Sequence, residues 1–362
     1  MSSTWGERVK ISIFGESHGE SIGVVIDGLP AGEKIDFDEL YTQLKRRAPG
    51  NDSMSTKRKE EDIPKFVSGI LNGFTTGTPI CAVINNTDQR SKDYSEISSI
   101  VRPGHADYTG SIKYKGFNDT RGGGHFSGRL TAPLTLAGAI CKQILSRRGI
   151  DIFAHIYSIA NIKDKAFDPV NIDKNTYNRL QSQSFPLIDE NIENSMKSLI
   201  EGIKLSMDSV GGIIECAITG VAAGVGSPIF GGIENVLSSI IFGIPAVKGI
   251  EFGNGFDSTH LRGSENNDPF ILENGKVKTG TNNHGGILGG ISSGMPILFK
   301  VAIKPTPSIV KPQQTVDISK KIPTVLSVSG RHDPCIVPRA VPVVESASAI
   351  AVINLMMEEN LI

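Results

Sequence analysis

The stretch that most constrains this chain is residues 121 to 148, RGGGHFSGRLTAPLTLAGAICKQILSRR. Three consecutive glycines let a backbone approach a ligand closely. They lead through Ser127 and Arg129 into a helix whose N–H groups face back toward the glycines, which makes an anion seat. Leu134, Ala137, Cys141, Ile144 and Leu145 fall on one helical face, and Pro133 is tolerated in the first turn. Arg147 and Arg148 offset the dipole at the last turn, and Gly149 is the expected stop. A triglycine on its own is more simply a connecting turn, so its meaning depends on its company elsewhere in the chain.

At 362 residues there is ample material for one large domain or two ordinary ones, and a net charge of -1 argues against a general nucleic-acid or membrane surface. Any basic site must then be a local concentration of Arg and Lys. Cys81, Cys141, Cys216 and Cys335 lie far apart with no CxxC or zinc spacing, the pattern of a reduced, intracellular protein. Cys141 falls on the core face of its helix and reads as a small hydrophobe. No apolar run approaches the roughly 18 residues a membrane span requires, so a soluble, cytoplasmic protein is expected.

Residues 9 to 14, VKISIF, alternate and are β-rich, so they form a strand that delivers GESHG at its end, and a second strand follows at 22 to 27. Asp36 and Glu39 have capping-box spacing and open a helix that finishes at Arg46 and Arg47 before Pro49. Further strands are expected at 66 to 71, 80 to 84, 150 to 160, 211 to 225, in IPAVKGIEFG and in VAIKPTPSI. Helices are expected at 189 to 208, 233 to 242 and 343 to 357. In the first of these, Ile192, Met196, Leu199, Ile200, Ile203 and Met207 form a core stripe. The polar stretches at 48 to 62, 85 to 110 and 310 to 330 are expected to be loops that order on ligand binding. With no linker-like break and no strict alternation of elements, a single α+β domain spanning 1 to 362 is favoured.

His18, Arg47, Arg102, His105, His125, Arg129, Arg331 and Asp333 each lie in Gly- or Pro-rich turns. Arg rather than Lys at such sites points to bidentate recognition of carboxylate or phosphate, so the implied ligand is a small polyanion. Two histidines in separate loops can act as acids toward it. Glu16, His18, His105, Asp107, His332 and Asp333 are available to a metal, but no HExxH or paired histidines on a helix face occur, and no metal site is expected. Ser17 and Ser127 lack a GxSxG elbow.

The segments FGESHGESIGVVIDGLPAG, RPGHADYTGSIKYKGFNDTRGGGHFSGRLTAPLTLAGAI, NNHGGILGGISSGMPILFKVAIKPTPSI and GRHDPCIVPRAVPVVESA, in this order, resemble the chorismate synthase family over about residues 9 to 350. The resemblance implies a 1,4-elimination in which 5-enolpyruvylshikimate 3-phosphate loses phosphate and a C6 hydrogen to give chorismate, the last step of the shikimate pathway. It also implies a requirement for reduced FMN without net redox. Carried over by motif, His18 would be the acid near the leaving phosphate, His105 would sit near the flavin N1 and O2 edge, and Asp333 would assist removal of the C6 hydrogen. Arg47, Ser127, Arg129 and Arg331 would hold the substrate. His125, Phe126, Ser127, Ala246, Gly289, Lys304, Pro305, Thr306, Pro307, Ser308 and Arg331 would hold the flavin.

The chain departs from that pattern at two places. The arginine-rich RRRPG reads RRAPG, with Ala48, and a further arginine appears as Ser53, although Lys57, Arg58 and Lys59 stand nearby. His125 and Phe126 replace an Arg and a Ser. The resemblance also implies a β-α-β sandwich of antiparallel sheets enclosing helices and a homotetramer. Relatives with their own NADPH-dependent flavin reductase activity are longer, so an external reductase is the expected source of reduced FMN. Two competing readings use the same arginine loops: a non-catalytic binder of a phosphorylated metabolite or flavin, and a metal-dependent phosphohydrolase.

Overall fold

Alternating apolar residues in the N-terminal third build an antiparallel sheet with one dry face. It comprises β1 (Thr4–Trp5), β2 (Lys10–Gly15), β3 (Ser21–Asp27), β4 (Pro64–Ser68) and, after the short ribbon β5 (Ile70–Leu71) and β6 (Phe74–Thr75), β7 (Ile80–Asn85). The spatial order is β1-β2-β3-β7-β4. Ile22, Val24 and Ile26 of β3 stand beside Ile84, Ala82 and Ile80 of β7, and all six are buried. The computed structural model describes residues 3–50, 60–87, 99–328 and 333–362. Ser53, Lys57, Arg58, Lys59 and Arg331 therefore lie outside the described residues.

The second sheet contains β8 (Asp151–Ile159), β9 (Ile162–Lys163), β10 (Gly212–Thr219) and β11 (Val247–Phe252). After the hairpins β12 (Phe270–Glu273) with β13 (Lys276–Thr279) and β14 (Ile287–Leu288) with β15 (Ile291–Ser292), it is completed by β16 (Ile297–Ile303). Its order is β11-β16-β10-β8-β9, again antiparallel. A separate hairpin, β17 (Gln313–Asp317) with β18 (Ile322–Leu326), follows.

Between the two sheets lie α1 (Phe37–Arg47), α3 (Thr131–Ser146) and α8 (Val337–Glu358), so the fold is the expected sandwich of antiparallel sheets enclosing helices. Helix α3 packs on β2, β3 and β7 on one side and on α8 on the other, while α8 covers β8 and β10. The α3–α8 crossing is close at Gly138, where a Cβ would lie 2.2 Å from Ser346 Cβ. Helix α1 is capped by Asp36, which accepts from the backbone N–H of Asp38 and Glu39 at 3.0 and 3.1 Å, but the capping box is only half formed because the Asp36 N–H donates to Gln143 Oε1 at 2.9 Å and not to Glu39. Helix α6 (Ile233–Ile241) packs on α8 and β11. The remaining helices are α2 (Asp107–Lys113), α4 (Lys174–Ser182), α5 (Glu193–Leu205) and the single turn α7 (Gly263–Asn266).

Several expectations need correction. The α3 stripe is too narrow, because every residue from Thr131 to Leu145 is buried by neighbours on both sides. The final helix begins at Val337 rather than 343. Burial of Val337, Ala340 and Val341 outweighs the hydrogen bond lost at Pro342. Two elements occur where loops were expected, with α2 beginning inside 85 to 110 and β17–β18 lying inside 310 to 330, while α4 and β12–β13 occupy stretches where no element was expected. Strand β10 stops at Thr219, well short of 225. Met207 is 54% exposed at the end of the α5 stripe rather than core.

The helix layer holds a charged cluster. Glu345 of α8 accepts from Arg46 at 2.7 and 3.0 Å, from Lys142 at 2.7 Å, from Gln43 at 3.0 Å and from the Ala154 N–H at 3.1 Å. Burial alone would raise the Glu345 carboxyl, but the Arg46 and Lys142 cations more than offset it and hold it far below the usual carboxylate range. Burial pushes Lys142 down and the Cys141 thiol up to about 12, consistent with Cys141 as an inert hydrophobe. On the far face of the second sheet, His155 bridges Asp164 at 3.0 Å and Glu215 at 2.9 Å, fully buried.

Candidate functional site

The triglycine turn organises the site by touching two histidines with consecutive residues. A Cβ on Gly122 would lie 2.1 Å from the Cε1 and Nδ1 atoms of His18, and one on Gly123 would lie 3.1 Å from His105 Nε2. Both glycines have positive φ, +62° and +102°, so the backbone favours glycine at each, and at Gly122 space demands it as well. The Ser17 N–H donates to the Gly124 carbonyl at 3.1 Å, which fastens the GESHG connection between β2 and β3 to the turn. His18 lies at the end of this connection, with Nδ1 2.9 Å from Ser17 Oγ.

His105 sits just before α2. Its Nδ1 is 2.6 Å from Asp107 Oδ1, the pairing that fixes a histidine's ring and tautomer. Arg102 donates to the same carboxylate from Nε and Nη2, each at 2.7 Å, and from Nη1 to Ser308 Oγ at 3.3 Å. Burial would raise the Asp107 carboxyl, but the hydrogen bonds from Arg102 and His105 hold it well below its ordinary value.

These groups open onto one cavity of about 590 Å³. His18, His105 and Asp333 line it together with Arg47, Ser127 and Arg129, and so do His125, Phe126, Ala246, Lys304, Thr306, Pro307 and Ser308. Arg129 is buried before α3, where Ser127 caps the turn by accepting from the Arg129 N–H at 3.2 Å. Its Nε donates to Asn86 Oδ1 at 3.0 Å, while Nη2 is buried without a hydrogen-bond partner among the described residues. Thr306 Oγ1 is likewise buried and unpartnered. Lys304 donates to the Gly104 carbonyl, and burial followed by the nearby Lys248 cation lowers its pKa. The side of the cavity formed after α6 is apolar, with Phe242, Ile244 and Pro245.

A family model described as chorismate synthase matches residues 9–357. A chorismate synthase from Dehalococcoides mccartyi is 45% identical over 362 residues, covering 100% of this chain and 98% of the relative. One from Thermococcus kodakarensis is 46% identical over 355 residues, 98% of each chain. The chain belongs to the chorismate synthase family. A chorismate synthase crystal structure matches the fold with a TM-score of 0.76 at 26% identity, covering 98% of this chain and 93% of that one.

Not every residue picked out by the chorismate synthase motifs borders the cavity. Pro305 is exposed between Lys304 and Thr306 and is not on its wall. Gly289 lies in the β14–β15 turn, whose next residue, Gly290, accepts from the Ile233 N–H at the start of α6. The cavity instead takes Phe242 to Lys248, after the other end of that helix, roughly 13 Å away along nine residues of helix. His125 lines the cavity, yet its ring is bound on both sides, with Nδ1 2.9 Å from the Gly15 carbonyl and Nε2 2.8 Å from Ser3 Oγ. What His125 offers a ligand is mainly backbone. Phe126 packs on Tyr114, just after α2, with ring centroids 6.2 Å apart.

Pattern reading did not single out Phe242, Lys248 or Arg339, all on the cavity wall. Arg339 pairs with Asp333 and also donates from Nε to the Arg47 carbonyl at 3.0 Å. It falls inside an apolar helical run, and only the position of α8 relative to α1 reveals it.

Proposed function

We propose that this enzyme converts 5-enolpyruvylshikimate 3-phosphate to chorismate by 1,4-elimination, with reduced FMN required and no net redox. The observation that carries the reading is convergence: two histidines, a carboxylate and two buried arginines from five distant segments line one cavity. The substrate has two carboxylates and a phosphate, which the Arg47 and Arg129 guanidiniums suit by charge and shape. His18, placed by Gly122 and Ser17, would give a proton to the departing phosphate, and Asp333 would assist loss of the C6 hydrogen. His105, oriented by Asp107, would neutralise charge at the flavin edge.

The cavity residues fit a flavin. Thr306 Oγ1 is a buried donor unsatisfied among the described residues, the Phe242 to Pro245 wall is apolar, and the volume is in the range of small-molecule and cofactor pockets. Thr306, Pro307, Ser308, Lys304 and Ala246 would hold it, with backbone groups of His125 to Ser127 beside them. Reduced FMN supplies electron density that no side chain of this chain can, and the protein's part is orientation and electrostatics. The reading extends to a homotetramer in the cytoplasm supplied with reduced FMN by a separate reductase. Gly289 would then meet flavin only from a neighbouring copy, and Arg331 would join both ligands.

An anaerobic assay with dithionite-reduced FMN tests the proposal. Chorismate and phosphate should appear in equal amounts while the flavin stays reduced. Failure to form chorismate, or activity that persists without flavin and stops on chelation, would overturn it.

A further inference from the structure

Asp62 has no place in the motifs, yet the two arginines assigned to the substrate are arranged around it. Arg47 comes from the last turn of α1 and Arg129 from the turn that enters α3. Both point a terminal nitrogen at the same carboxylate: Arg47 Nη1 is 2.7 Å from Asp62 Oδ2, and Arg129 Nη1 meets Oδ1. The Asp62 side chain is fully buried, and its backbone has φ +54°, a left-handed conformation that most side chains resist and Asp tolerates. Strain of that kind persists where surrounding interactions fix the residue, and here two buried ion pairs do so.

Neighbouring groups define what is left for a ligand. Arg129 Nε is taken by Asn86, and Nη1 by Asp62. Nη2 is buried, has no hydrogen-bond partner among the described residues and stands 3.7 Å from Glu60, too far for a hydrogen bond. Glu60 is held where it is by the Thr87 N–H at 3.2 Å and Thr87 Oγ1 at 3.0 Å. The cluster therefore contains a cationic donor with no hydrogen-bond partner among the described residues, beside two guanidiniums whose mutual repulsion the bridging Asp62 carboxylate relieves, with Glu60 near one of them.

We propose that Asp62 is a positioning residue for anion recognition: it yokes Arg47 and Arg129 into one clamp and leaves Arg129 Nη2 as the donor for a phosphate or carboxylate of the substrate. The inference rests on the proposed role of those arginines in substrate binding. It opposes a second role the same geometry allows, in which the Asp62 carboxylate occupies the anion's own seat and competes with it. The two roles predict opposite signs when the charge is removed.

The test compares wild type with Asp62→Asn and Asp62→Glu in two measurements. One is the calorimetric affinity for inorganic phosphate, which needs no turnover. The other is the KM and kcat for 5-enolpyruvylshikimate 3-phosphate with reduced FMN. Asp62→Asn should raise KM by about 10-fold or more and weaken phosphate binding in parallel while kcat stays within about threefold, the signature of lost uniform binding. Asp62→Glu, which keeps the charge but displaces it by one methylene, should fall between the two. If Asp62→Asn does not fold, a raised KM with unchanged kcat in Asp62→Glu supports the yoke, and an unchanged KM in it refutes the yoke. Tighter phosphate binding in Asp62→Asn, or unchanged KM, overturns the proposal. If wild type makes no chorismate but the variant still loses phosphate affinity, the clamp stands and the proposed reaction falls.

Discussion

Substituting Gly122 with Ala should damage turnover far more than folding. The added Cβ would lie 2.1 Å from two atoms of the His18 ring and 2.7 Å from Ser17 Oγ, whereas ordinary contact begins near 3.4 Å. The ring must then withdraw by more than about 1 Å, and displacement of an acid by that much costs about 100-fold in rate. The backbone cost of alanine at φ +62° is about 1 to 2 kcal/mol, tolerable against a typical stability of about 5 to 15 kcal/mol. Gly123→Ala meets His105 Nε2 at 3.1 Å, so its neighbour yields only a few tenths of an ångström. Its loss should be nearer 10-fold in kcat. Anaerobic kcat, FMN affinity and thermal midpoint measured on both variants decide the matter. Near wild-type kcat in Gly122→Ala, or a fall in FMN affinity as large as the fall in kcat, would refute the idea that the triglycine sets His18 for proton transfer.

His18→Ala and His105→Ala should each slow turnover much more than they weaken FMN binding, because the proposed roles are protonic; stopped-flow rates beside FMN titrations check this, and the reverse pattern would make them structural. Glu345→Gln leaves the buried Lys142 and the partly buried Arg46 without their counter-charge, so the urea midpoint should fall by the equivalent of about 3 to 5 kcal/mol, and an unchanged midpoint contradicts the cluster's role. For His155, burial would lower the pKa, but the hydrogen bonds to Asp164 and Glu215 outweigh it and raise it. Its stabilising contribution is thus complete below about pH 6.5 and lost as pH rises through the elevated folded value. The melting-temperature gap between wild type and His155→Gln should shrink toward alkaline pH, and a widening gap would contradict this account.

Much of the fold was legible because its strands alternate and its caps are local. Asp36 and the periodicity of 193 to 205 fix their helices without help from distant residues. The hidden elements lacked such signals. Helix α4 buries only Leu180, and α8 carries two prolines in its first turns that read as a stop. At the site, residues standing in glycine-rich turns were recognisable from their chemistry. Arg339 and Asp62 were not, because each acts by what lies across the fold from it: Asp333 and the Arg47 carbonyl for one, two guanidiniums for the other. Gly289 shows the converse, a motif residue that the chain folds to the far end of α6.

A crystal structure of the enzyme with FMN and 5-enolpyruvylshikimate 3-phosphate bound tests the central claim most directly. The account predicts the substrate phosphate within about 3 Å of Arg129 and His18, with the flavin ring between His105 and Asp333 and against Ala246 and the Thr306 to Ser308 segment. Either ligand bound in a separate hollow, away from His18, His105, Arg129 and Asp333, would contradict it.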